Sequence, residues 1–173
     1  MTPPAPPTTP WRQRLWPITR EWGLTLLLAG AVFHIVGQLR APALPDQAPD
    51  FTLSVLDGET VTLSSLHGQP VVLNFWAPWC GPCRAEVPQF NLFAEGYPQV
   101  AVLGIATDGT PPSLRAAQTR LGIEYPVLLA DEQTVTAYGV TTLPTTVFID
   151  ASGQITDAHT GILTLPQLAV MVP

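Results

Sequence analysis

The chain contains no lysine: all seven basic residues among its 173 are arginines. Four of them, Arg12, Arg14, Arg20 and Arg40, fall within the first forty residues. Beyond residue 40, Arg84, Arg115 and Arg120 face twelve acidic residues, a formal charge of −9. A nucleic-acid binder needs a basic face to neutralise phosphates, so this balance argues against that class. Histidine and cysteine are scarce as well. Three scattered histidines, His34, His67 and His159, and two cysteines are all that is present. A structural zinc site takes four ligands, usually as two close pairs, and this inventory does not supply them. No metal is expected.

The two cysteines stand two apart, in Trp79-Cys80-Gly81-Pro82-Cys83. The apolar run Val71-Val72-Leu73-Asn74-Phe75-Trp76 precedes them, and Arg84-Ala85-Glu86-Val87 has the composition of a helix. The pair therefore falls where a buried strand hands over to a helix. Unpaired backbone N–H groups and the macrodipole stabilise an anion there, and a thiolate is the anion that thiol chemistry needs. A bridge between residues three apart closes a very short loop and removes little unfolded-state entropy. A purely structural disulfide is thus a poor explanation, and C-x-x-C in a strand–helix setting reads as a redox motif. Trp76 and Trp79 are read as structural, one in the core and one as a wall of the site.

The N-terminus is of another character. Residues 1–21 form a tail that is Pro/Thr-rich from Met1 to Pro10 and then carries Arg12, Arg14 and Arg20. Residues 22–39 then run 18 positions without a charge. As a helix that stretch is about 27 Å long, enough to cross a bilayer core. The arginines before it place the N-terminus in the cytoplasm and the C-terminal part outside. The alternative is a cleaved signal peptide, with Leu24–Val36 as its apolar region and Ala41-Pro42-Ala43 as the cleavage site. Both readings export the remainder of the chain. His34 is read as a helix-face residue near the outer interface. Residues 40–49 form a Pro-rich linker, and residues 50–173 are long enough for one domain with a proper core.

Within that domain, Asp50–Val55 and Glu59–Leu63 alternate around Asp57-Gly58 and predict a hairpin. Val71–Trp76 is apolar throughout, as a strand covered on both faces should be. A helix follows the cysteines, with Pro88 expected to kink it and Gly96 to end it. Val100–Ala106 is the next buried strand, and Ser113–Leu121 a helix with Ser113 as its N-cap. Tyr125–Leu129, Thr145–Asp150 and Gln154–Thr160 read as strands, the last an antiparallel edge. Thr134–Tyr138 and Leu165–Val172 read as helices. Alternating strands and helices closed by a hairpin define an α/β fold with a mixed sheet.

Three blocks then resemble a known family. They are Pro49-Asp50-Phe51-Thr52-Leu53, the run from Val72 through Cys83 to Pro88, and Thr142-Leu143-Pro144 through Asp150. Their order and spacing are similar to the membrane-anchored thioredoxin-like proteins of the TlpA/ResA/DsbE type. The resemblance implies a thioredoxin-like fold, a mixed central sheet flanked by helices with an N-terminal hairpin. It also implies a central strand–helix insertion at Asp108–Tyr125 and one N-terminal transmembrane helix. It makes Cys80 the exposed attacking cysteine, Cys83 the resolving one, and Pro144 a cis-proline that with Leu143 meets the substrate peptide. Trp79, Gly81, Pro82, Asn74 and Glu86 become neighbours of the site. Asn74 stands where cytoplasmic thioredoxins carry a proton-accepting Asp. Glu86 matches a family glutamate and is read either as an aid to proton transfer or as an ordinary solvated helix residue. Thr145 replaces the acid found in cytochrome c maturation members, which weakens that assignment.

The activity implied is thiol–disulfide exchange outside the cytoplasmic membrane, with no cofactor beyond the cysteine pair. Partners would be disulfide-containing exported proteins and a membrane electron donor of the DsbD/CcdA type. The Gly81-Pro82 dipeptide favours a reductant, since thioredoxins have potentials near about −270 mV. The competing readings are an oxidase that donates disulfides as DsbA does, a peroxidase, and a non-catalytic binding module.

Overall fold

The computed structural model describes residues 45–173 apart from Asp57, together with Thr2 and Gly30. The expected cytoplasmic tail, the membrane-spanning stretch at 22–39 and His34 lie outside the described residues. Among the described residues, no helix is long and apolar enough to cross a membrane.

Strands β1 (Thr52–Ser54) and β2 (Thr60–Thr62) pair antiparallel as the expected hairpin. A 3-10 turn, Leu63–Leu66, leads into β3 (Val71–Trp76). Helix α1 (Gly81–Gly96) follows, then β4 (Ala101–Ala106), α2 (Pro111–Leu121) and β5 (Val127–Leu129). Helix α3 (Glu132–Ala137), β6 (Thr145–Ile149), β7 (Ile155–Thr160) and α4 (Leu165–Met171) complete the domain. The main sheet has the order β5-β4-β3-β6-β7. β3, β4 and β5 are parallel, while β6 and β7 are antiparallel to their neighbours.

β3 is central, and every one of its residues is buried. Its side chains alternate between two apolar layers, as the period of two requires. Val72 and Trp76 point to the layer that holds Phe90 and Phe93 of α1, Leu168 of α4 and both cysteines. Val71, Leu73 and Phe75 point to the layer holding Phe51, Leu53, Tyr138 and Ile149. Asn74 belongs by alternation to the α1 layer. A one-residue slip of β3 would move Asn74 to the wrong face and invert both layers, so burial on both sides fixes the register.

Some boundaries differ from expectation. Helix α2 begins at Pro111, and Thr110 is its N-cap; Ser113 sits at N3 and completes a capping box. Prolines at the first two helical positions need no N–H partner there, so the helix starts before the serine. The 108–125 segment contributes that helix but no strand; the strand begins at Val127. Helix α1 contains Pro88 and ends at Gly96, as expected.

Candidate active site

The end of β3 delivers the chain to the cysteines. Cys80 is the N-cap of α1, in an extended conformation (φ −71°, ψ 107°), and Pro82 occupies the first turn. Cys80 and Cys83 form a disulfide with an S–S distance of 2.00 Å and Cα atoms 5.3 Å apart. The Cys83 N–H donates to Cys80 Sγ at 3.2 Å. The Cys80 sulfur thus sits against the N-terminal amides of α1, which favours a thiolate once the bridge is reduced.

In the disulfide state Cys80 is only 4% exposed and Cys83 1%. Cys80 is therefore not the exposed residue that the resemblance implied. Its neighbours Trp79, Gly81, Pro82 and Arg84 are exposed around it. Cys83 lies deeper, one turn into the helix. Trp79 stands 65% exposed, and its indole N–H donates to Asp108 Oδ2 at 2.8 Å. Trp76 is a core residue, as expected.

Pro144 follows a cis peptide bond with Leu143. Phe75 pairs with Thr145, so Pro144 lies level with Trp76 at the end of β3 from which the cysteines emerge. Its carbonyl accepts from Gly161 N–H at 2.9 Å, and Leu143 packs against the core cluster that contains both cysteines. Leu143 is half-buried and Pro144 buried, level with the end of β3 that leads to the cysteines.

Glu86 overturns the solvated-helix alternative. It is fully buried, and its Oε1 accepts from Asn74 Nδ2 at 2.8 Å. Its Oε2 accepts from the Leu163 N–H at 3.4 Å. The physical reason is helical spacing. Residues 83, 86, 87, 90 and 93 share the face of α1 that packs on the sheet. Burial raises the Glu86 carboxyl to about 7, outweighing the hydrogen bonds from Asn74 and Leu163 that lower it. A carboxyl three residues after Cys83 can therefore hold or release a proton near neutrality, which Asn74 cannot do.

Thr146, Leu163, Tyr125 and Asp108 join the site without having been singled out from sequence. Thr146 could have been found from Pro144 by strand alternation; the other three arrive through tertiary packing. A polar cleft of about 310 Å³ lined by Asp50, Phe51, Asp131 and Tyr138 lies elsewhere. Phe51 and Tyr138 belong to the opposite apolar layer from the cysteines, so that cleft has no part in the exchange site.

A mixed sheet flanked by helices, with a C-x-x-C disulfide at a helix N-terminus and a cis-proline level with it, defines a thioredoxin-like thiol–disulfide oxidoreductase. The chain belongs to the AhpC/TSA family, whose model matches residues 44–158, and its relatives place it with the ResA/DsbE-type enzymes. It is 36% identical over 160 residues to the thiol-disulfide oxidoreductase ResA of Geobacillus thermodenitrificans, covering 88% of this chain and 91% of that one. A putative thiol:disulfide interchange protein DsbE from Chlorobium tepidum superposes with a TM-score of 0.68 at 32% identity, over 74% of this chain and 94% of that one. A secreted Mycobacterium tuberculosis disulfide oxidoreductase homologous to E. coli DsbE gives a TM-score of 0.63 at 31% identity, over 70% of this chain and 92% of that one. The protein is an enzyme, a protein-disulfide oxidoreductase.

Proposed function

We propose that this oxidoreductase works outside the cytoplasmic membrane, tethered by residues 22–39, and reduces disulfides in exported proteins. The observation that carries the reading is the Cys80–Cys83 bridge across the first turn of α1, with Glu86 buried one turn beneath. In the reduced enzyme the Cys80 thiolate attacks one sulfur of a substrate disulfide. A mixed disulfide forms, and the other substrate sulfur leaves as a thiolate. Cys83 then loses its proton and attacks Cys80 Sγ. The second substrate sulfur is released, and the enzyme is left with the bridge seen in the structure. Glu86, once ionised, takes the Cys83 proton, and Leu143, just before the cis-proline Pro144, offers backbone to the docked peptide. Two electrons pass to the substrate in each cycle, and no metal or further cofactor enters.

Export is supported by the uncharged run behind three arginines and by the secreted character of one structural relative. The reductive direction is supported by Gly81-Pro82. Reduction outside the membrane draws on no local reductant pool, so the cycle requires a membrane electron donor of the DsbD/CcdA type. The test is the redox state of the Cys80–Cys83 pair in growing cells, trapped by acid and read with a mass-tagged maleimide. A reduced pair that becomes oxidised when the membrane donor is deleted supports the reading. An oxidised pair, indifferent to that deletion, refutes it in favour of a disulfide donor.

A further inference from the structure

Tyr125 has no part in sulfur exchange, yet it is buried in the same apolar cluster as both cysteines. It lies just before β5 and is 3% exposed. Gly104 of β4 pairs with Asn74 of β3, so Gly104 sits beside the residue that binds Glu86. A Cβ on residue 104 would stand 2.8 Å from Tyr125 Cε2 and 3.2 Å from Trp76 Nε1. Carbon atoms pack at about 3.5–4.0 Å, so the ring fits over this backbone only because the residue is glycine. On its other side Tyr125 meets Phe90, with ring centroids 6.0 Å apart. Phe90 is four residues beyond Glu86 on the same face of α1. The ring thereby meets both the Gly104 backbone and Phe90, on the face of α1 that also carries Glu86.

We propose that Tyr125 is a positioning residue for Glu86: its ring, admitted by Gly104, keeps water away from the buried carboxyl so that it can hold a proton during exchange. The proposal rests on the reading of Glu86 as the proton acceptor. The groups that bear on Glu86 are the Asn74 amide from β3, the Leu163 N–H from the β7–α4 loop, Cys83 on its own helix, and the Tyr125 phenol. Dehydration dominates the upward shift of Glu86. Removing the ring would open a void over the Gly104 backbone, beside Phe90 and the Trp76 indole N–H, which has no hydrogen-bond partner. A void with polar walls takes up water, and a hydrated carboxyl ionises more readily.

The test uses the full-length oxidised chain in detergent micelles, with glutamate side-chain carboxyls labelled with carbon-13 and the Glu86 signal identified by its loss in Glu86→Gln. Wild type should titrate with a midpoint near 7, against the ordinary 4.5. Tyr125→Phe should keep that midpoint. Tyr125→Ala should lower it by about one unit or more, a tenfold change in the ionisation constant. Tyr125→Leu, which retains bulk and carries the test should the alanine variant not fold, should fall between them. A wild-type midpoint at the ordinary value overturns the reading of Glu86 and this proposal with it. A raised wild-type midpoint that persists in the alanine or leucine variant overturns the role of Tyr125 alone. So does a phenylalanine variant that shifts as far as alanine, since the hydroxyl would then be acting rather than the ring.

Discussion

Replacing Glu86 by glutamine tests the site where its electrostatics are most exposed to measurement. The variant keeps the shape and an oxygen for the Asn74 amide but removes the titration. In the folded protein the Glu86 carboxyl ionises at about 7; in the unfolded chain it ionises near the ordinary 4.5. Between those values the folded state binds more protons than the unfolded state, so stability falls as pH rises. A gap of that size corresponds to roughly 3 kcal/mol of destabilisation once pH exceeds the folded value. The carboxyls of Asp50, Asp131 and Asp150 are shifted the other way, below 3.8, mainly by hydrogen bonds from Ser64, Thr134 and Ser152. Their stabilisation is lost only as pH falls below that range, so it does not overlap the Glu86 window. Urea unfolding of the oxidised protein across pH should therefore show wild type losing stability from 4.5 to about 7, and Glu86→Gln staying level. Above the folded value the variant should be the more stable protein and the poorer enzyme. Its exchange rate should fall roughly 100-fold, the low end for loss of a positioned proton acceptor. Parallel pH–stability curves for the two proteins would refute this account of Glu86.

Cys83→Ser should retain the first attack but accumulate a mixed disulfide with substrate, visible on non-reducing gels, whereas Cys80→Ser should form none. Asn74→Asp should place a second carboxyl beside Glu86; the two would share one proton, and the pH-dependent loss of stability should steepen in the same urea assay. Asp108→Ala removes the acceptor at 2.8 Å from the Trp79 indole; Trp79 emission should change while stability shifts by less than about 1 kcal/mol, as expected of an exposed hydrogen bond. Tyr138→Phe removes the hydroxyl that donates to the Pro49 carbonyl at 2.7 Å and should cost about 1 kcal/mol in urea without altering exchange rates.

Local signals carried much of this arrangement. The unbroken apolar run of β3 announced a strand covered on both faces, and the cysteine pair just after it announced the strand-to-helix handover. Pro144 was legible through family resemblance, not from its own neighbourhood, because most X-Pro bonds are trans. Glu86 was legible too, had spacing been given precedence over charge. It falls on the Cys83–Val87–Phe90–Phe93 stripe, which a solvated residue would avoid. The shielding of Cys80 and the Asp108 partner of Trp79 were not legible. Each depends on segments far apart in sequence, and Asp108 lies 29 residues from Trp79.

The two cysteines are adjacent in space but live in different electrostatic worlds, and that asymmetry gives the exchange its order. Cys80 caps α1, where backbone amides stabilise a thiolate without any neighbouring base. Cys83 is one turn deeper, in the apolar layer on the α1 side of the sheet. It becomes a nucleophile only when a proton acceptor is within reach at the moment the mixed disulfide forms. Asn74 cannot be that acceptor. Its amide donates to Glu86 and holds the carboxyl on the sheet side of α1. The residue in the strand orients the carboxyl in the helix. Burying a carboxyl costs stability, but the same burial moves its titration from the ordinary 4.5 up to about 7, close to neutrality.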